Sequence, residues 1–150
     1  MILDSQNLLS DAQAFTSSGY TTNTIDLGSV TPKNEIGTGE GLALVFTVDV
    51  AADTGSSDET YQFQLVQSAN ANLSSHDVLV QTDTSFITRS TLVAGYQVVL
   101  PVPPGMVSKR YLGGRLVLGG TTPSITVTGF LQPRAMVQNY KDYAKGYTIS

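Results

Sequence analysis

At 150 residues with 41% hydrophobic content, the chain is long enough to bury one core and too short for two comfortable domains. Twelve acidic residues outnumber eight basic ones, giving a net charge of −4, which argues against nucleic acid as the main partner because phosphate recognition rests on Lys and Arg. Cysteine and tryptophan are absent and histidine occurs once, so disulfide frameworks and thiolate metal cages are excluded and the usual nucleophile–base constellations are poorly supplied. The expectation is a protein without catalytic residues, cofactor or metal, working through its surface.

The first segment, residues 1–20, reads as an irregular N-terminal arm. MILDSQNLLSDAQAFT sets Ile2, Leu3, Leu8, Leu9 and Phe15 in a polar background, and Asp11–Ala14 reads as a single helical turn capped by Ser10 or Asp11. No basic stretch precedes an apolar one there, so no signal peptide is expected, and no apolar run approaches a membrane span.

Residues 21–131 read as the folded body, in one domain with the ends. A first strand is predicted near Thr22–Leu27. From Gly41 to Val50, Leu42, Leu44, Phe46, Val48 and Val50 alternate with Ala43, Val45, Thr47 and Asp49, the period of a strand with one strongly apolar face. Thr60–Ser68 repeats the pattern, with Tyr61, Phe63 and Leu65 against Gln62, Gln64 and Val66. The polar loop between these two runs predicts an antiparallel hairpin with a long connection. Further strands are predicted at Asp77–Thr82, Ser85–Ser90, Gly95–Pro101, Arg110–Leu118 and Pro123–Leu131. Pro103-Pro104-Gly105 and Gly119-Gly120-Thr121-Thr122-Pro123 supply turns between them, and Gly113-Gly114 inside a strand marks a bulge or a close backbone approach. About eight short strands without a helical run predict an all-β antiparallel β-sandwich, with a jelly roll as the leading topology and an immunoglobulin-like sandwich second.

The last segment, residues 132–150, reads as a C-terminal tail. It carries Arg134, then Tyr140, Lys141, Tyr143, Lys145 and Tyr147, with Tyr140 and Tyr143 on one face of any short helix. Tyrosine and basic residues suit an interface in which an aromatic body is buried and its polar tip stays wet. The tail and the N-terminal arm are therefore candidates for partner contact, with folding back on the chain's own sandwich as the plainer alternative.

Local chemistry elsewhere is thin. His76 and Asp77 are neighbours on a predicted strand and point to opposite faces, so a surface histidine is favoured over a catalytic pair. Asp53-Thr54-Gly55-Ser56-Ser57-Asp58-Glu59 has oxygen ligands but lacks the spacing of a calcium loop, and a solvated loop is favoured. Gly37-Thr38-Gly39-Glu40-Gly41 lacks the lysine and following helix of a phosphate cradle and reads as a turn.

Leu8-Leu9-Ser10-Asp11-Ala12-Gln13-Ala14 within Met1–Thr16, together with Ile25-Asp26-Leu27-Gly28, resembles the opening of small capsid cement proteins of tailed bacteriophages. Arg110–Leu131 resembles the closing strands of that family, and Gly41–Val50 its first long core strand. The resemblance implies a jelly-roll domain that binds the outside of a phage head across neighbouring major capsid proteins. It also implies homo-oligomers, most often dimers, at the virion exterior after assembly in the host cytoplasm, with no catalytic residues; no membrane partner is expected, since no apolar run is long enough to span a membrane. A carbohydrate-binding or receptor-binding β-sandwich is the alternative from another class.

Overall fold

The computed structural model describes residues 5–30, 36, 39–85 and 87–137. Among them are nine strands: β1 (Leu8–Phe15), β2 (Gly19–Tyr20), β3 (Ile25–Asp26), β4 (Leu42–Val50), β5 (Thr60–Ser68), β6 (Asp77–Gln81), β7 (Gln97–Pro101), β8 (Tyr111–Gly119) and β9 (Ile125–Pro133). Sheet A has the order β1-β9-β4-β7, and sheet B the order β2-β8-β5-β6 with β3 also paired to β8. β2 and β3 share the edge of β8 that β5 leaves open, so they form one interrupted edge strand. All pairings are antiparallel. Every connection except β2–β3 and β5–β6 passes from one sheet to the other, which is the wrapping of a jelly roll rather than of an immunoglobulin sandwich.

Alternation explains the core. Leu44, Phe46 and Val48 of β4 face Tyr61, Phe63 and Leu65 of β5 across the sandwich, joined by Leu112 and Leu116 of β8 and by Ile125, Val127 and Leu131 of β9. The Phe46 and Phe63 rings meet with centroids 5.3 Å apart. Burial of each such side chain contributes about 1.5–3 kcal/mol. Phe46 occupies space that two glycines leave: a Cβ on Gly114 of β8 would lie 2.5 Å from its Cζ, and one on Gly129 of β9 would lie 2.8 Å from its Cε1. Gly113-Gly114 thus marks a close approach, and the β5–β8 register runs through it without a bulge.

Three local expectations are corrected. β4 and β5 do not form a hairpin; they lie in different sheets, because both carry a strong apolar face and those faces pack against each other. The described residues of the segment predicted as a strand, Ser85 and Ile87–Ser90, are not in a strand. Asp83 Oδ1 accepts the Ser85 N–H at 2.8 Å and the Ser85 hydroxyl, while the Thr91 N–H bonds to the Thr88 carbonyl at 2.9 Å. Such local side-chain bonds compete with a ladder. The helical turn read at Asp11–Ala14 is part of β1, which runs along β9 with register shifts on either side of Ser10. Ala12 takes a positive φ of 42° at this irregularity, and its N–H is satisfied by Thr128 Oγ1 at 3.0 Å.

β1 also changes the meaning of residues 1–20. Leu9 and Phe15 are buried in the core, so Leu8–Phe15 is an edge strand of the body and not an arm. Beyond β9 the chain makes a 3-10 turn at Arg134–Met136, anchored by the Arg134 N–H to the Gly41 carbonyl at 2.7 Å.

Candidate interaction surfaces

The candidate contact residues fall into three groups. Leu9 and Phe15 belong to the core and present no surface. Leu8 is half-buried opposite Phe130, and Arg134 is exposed beside Gly41. Ile2, Leu3, Tyr140, Lys141, Tyr143, Lys145 and Tyr147 lie outside the described residues.

The described chain nevertheless fixes where the flanking segments attach. β1 begins beside the end of β9, with Leu8 opposite Phe130 and the Leu131 N–H bonded to the Asn7 carbonyl at 2.9 Å. β4 begins beside the same end, with Leu42 opposite Pro133. Residues 5–7, 39–41 and 134–137 are therefore gathered at one end of sheet A, on three adjacent strands. On the outer face of that sheet, Ala43, Val45 and Phe130 are all buried, while Val99 on β7 is 40% exposed.

The Asp53–Glu59 loop uses its carboxylates internally. Asp53 Oδ1 accepts the Gly55 N–H at 2.8 Å, and Asp58 accepts the Thr121 N–H and hydroxyl at 3.1 and 3.0 Å. Those Thr121 bonds hold the Asp58 carboxyl below its usual range. Glu59 turns inward: Oε1 accepts the Ser56 N–H at 2.8 Å, and Oε2 lies 3.8 Å from Arg89 Nε. Arg89 also donates to the Ser57 carbonyl at 2.8 Å, tying this loop to the β6–β7 connection. Among the described residues no group of three or more His, Asp or Glu side chains could hold a metal ion.

The outer face of sheet B carries an arrangement that local patterns do not reveal. Tyr20 on β2 stands opposite Arg115 on β8, Arg115 opposite Gln64 on β5, and Gln64 opposite Gln81 on β6. These four form one cross-strand row spanning the sheet. Their side chains point away from the core, since they alternate with the core residues Leu116, Phe63 and Leu65. Arg115 Nη1 donates to Gln64 Oε1 at 3.0 Å, and Gln64 Nε2 donates to Gln81 Oε1 at 3.0 Å and to Gln62 Oε1 at 3.1 Å. The Arg115 guanidinium lies 5.8 Å from the centre of the Tyr20 ring.

His76 completes the row. Its Nδ1 and the Tyr20 hydroxyl are hydrogen-bonded at 2.8 Å, and the two rings meet edge to face. Burial, then the positive charge of Arg115, pushes the His76 pKa below its ordinary value of 6.5. The histidine is thus half-buried and partnered by a tyrosine rather than free at the surface. Alternation in β5 already put Gln62 and Gln64 on the polar side; the register that lines them up with Arg115 and Tyr20 joins residues far apart in sequence and has no local signal.

Beside the row, the β5–β6 loop folds back over the sheet. Leu73 is fully buried against Gly113, where a Cβ would come within 2.6 Å of its Cδ1. Ser68 Oγ donates to the Ser74 carbonyl at 2.6 Å and fixes the loop. Asn70, Asn72, Ser74 and Tyr111 line a shallow polar depression there.

Compared with known proteins, the chain matches the family model Bbp16 over residues 9–130, which spans β1 through most of β9. No curated protein matches it. The matched stretch contains both sheets and the cross-strand row, and the chain belongs to the Bbp16 family.

Proposed function

We propose that the chain is a structural virion protein that binds the outside of a phage head across neighbouring major capsid proteins and stabilises the shell against the pressure of packaged DNA. It acts there as a homo-oligomer, a dimer in the simplest case, and not as an enzyme. The observation that carries this reading is the gathering of residues 5–7, 39–41 and 134–137 at one end of sheet A. Segments leaving from adjacent strands reach neighbouring subunits together, and each further contact then forms at high effective concentration. A footprint of standard size removes roughly 800 Å² per partner from water, most of whose gain is offset by lost freedom, so several modest contacts hold better than one.

The segments that carry the resemblance to capsid cement proteins support the same reading. Leu8–Ala14 lies in β1, which pairs with β9, and Ile25–Asp26 is β3, which pairs with β8. With β8 and the first seven residues of β9, which lie within Arg110–Leu131, they make two strand pairs, one in each sheet.

Co-sedimentation with heads lacking the protein tests the proposal. Saturable binding in proportion to the number of capsid subunits, with heads that better resist heat, is the expected result. Because Leu9 and Phe15 are core residues, the informative deletions are residues 1–6 and 138–150. Full occupancy by a protein lacking both would falsify the assignment of the flanking segments, and absence of binding by the folded full chain would remove the capsid role.

A second reading, a ligand-binding sandwich, is favoured by one feature, the polar depression of Asn70, Asn72, Ser74 and Tyr111. Glycan-array binding abolished by Tyr111→Ala is its signature.

A further inference from the structure

Five positively charged side chains lie among the described residues: Arg89, Lys109, Arg110, Arg115 and Arg134. Three are paired with carboxylates, Arg89 with Glu59, Lys109 with Asp77 at 2.7 Å and Arg110 with Asp26 at 2.7 Å. Arg134 is exposed to water. Arg115 differs from all of these: it is half-buried on the outer face of sheet B and has no carboxylate partner among the described residues.

Its surroundings hold it in place without neutralising it. Gln64 accepts one of its hydrogen bonds and is itself only 5% exposed, fixed by Gln62 and Gln81. The face of Tyr20 lies alongside, and the bond to His76 keeps that ring from turning. A guanidinium has five N–H donors in a planar fork; one here bonds to Gln64, which leaves a fork edge suited to a carboxylate. The Lys109–Asp77 ion pair is internally balanced and supplies no spare counter-charge. Arginine and tyrosine set on rigid strands, ringed by side chains already bonded to one another, have the composition of an interface anchor.

We infer that the Tyr20–Arg115–Gln64–Gln81 row on the outer face of sheet B is a docking surface for a protein partner that presents an Asp or Glu carboxylate to Arg115. The geometry goes beyond the capsid reading: it places a contact on the body of the sandwich, away from the end where the flanking segments attach, and it names the chemistry of the partner. Gln64 is a positioning residue, holding the fork toward the partner, and Tyr20 supplies the aromatic wall. At neutral pH the charge of the surface is that of Arg115 alone.

The test is a titration of the isotopically labelled full chain with a hexaglutamate peptide, followed by NMR. Saturable shifts at Arg115 Nε–H, the Gln64 side-chain amide and His76 are expected, falling away as salt is raised, while a hexalysine peptide produces none there. Arg115→Gln keeps a partner for Gln64 and should weaken the peptide at least about tenfold. Arg115→Lys retains charge without the fork and should fall between the two. Shifts confined to other surfaces, or equal affinity in Arg115→Gln with an unchanged near-ultraviolet circular dichroism spectrum, would overturn the inference. Head binding by the same variants is scored separately. A wild-type chain that takes the peptide at Arg115 but ignores heads keeps this surface and loses the capsid role. If heads and peptide are both bound as well by the Arg115→Gln variant as by the wild type, the capsid role stands and this surface is lost.

Discussion

The outer faces of the two sheets are built on opposite plans. On sheet A, Ala43, Val45 and Phe130 are apolar and buried although they alternate with core residues. On sheet B the corresponding face carries Tyr20, Arg115, Gln64 and Gln81 in one hydrogen-bonded row. The inner faces, by contrast, are chemically alike, both aliphatic and aromatic. In a sandwich the inner faces must satisfy packing, so the freedom to acquire a function lies on the outer ones. Here one outer face has become a second layer of stability and the other has kept its polarity and a charge.

The largest effect that probes this contrast is expected at Phe130. If the outer face of sheet A behaves as core, Phe130→Ala should cost about 3–5 kcal/mol in urea unfolding. A loss near zero would mean that its burial contributes little. Leu73 tests an apolar patch on the other sheet. Leu73→Ala is expected to cost about 2–4 kcal/mol, because it empties the contact with Gly113, and to increase hydrogen exchange in residues 69–76 before the rest of sheet B.

A smaller effect follows from His76. Its folded-state pKa is lowered by burial and by Arg115, so the unfolded chain takes up a proton more readily than the folded one. Stability on this account is complete above the unfolded value of 6.5 and is lost as pH falls from there toward the lowered folded value. His76→Gln should flatten the fall in urea midpoint as pH drops below 6.5. In Arg115→Gln, the titration midpoint of the chain's single histidine should move up; an unmoved midpoint would place the charge of Arg115 too far away to matter.

The smallest effect is expected at Asp26. Arg110 donates to it through two bonds of 2.7 and 2.8 Å, but both partners are more than two-fifths exposed. Asp26→Asn should cost less than about 1 kcal/mol, and less still in high salt. A larger loss would show that β3, a strand of only two residues, depends on the pair to stay on β8.

Legibility in the sequence followed the range of the interaction. Period-two alternation located β4 and β5 to within a residue, because a strand's facing pattern is written in neighbouring side chains. The turn at Pro103–Met106 was equally local, with Gly105 at a φ of 76° after proline. β1 was missed because Asp11-Ala12-Gln13-Ala14 has no β-branched residue and becomes a strand only by pairing with β9. Ser85–Ser90 was misread for the reverse reason, since Asp83 and Thr88 capture backbone groups that alternation alone assigns to a ladder.

The candidate surfaces divide in the same way. Composition alone set aside disulfides and thiolate metal cages, and alternation alone predicted an all-β sandwich. Sequence could not say that Leu9 and Phe15 belong to the core, that β4 and β5 sit in opposite sheets, or that Tyr20, Arg115, Gln64 and Gln81 share a row. Those outcomes depend on which strands become neighbours and in what register. Register is decided by the packing of both apolar faces at once, and no single segment of the chain contains that information.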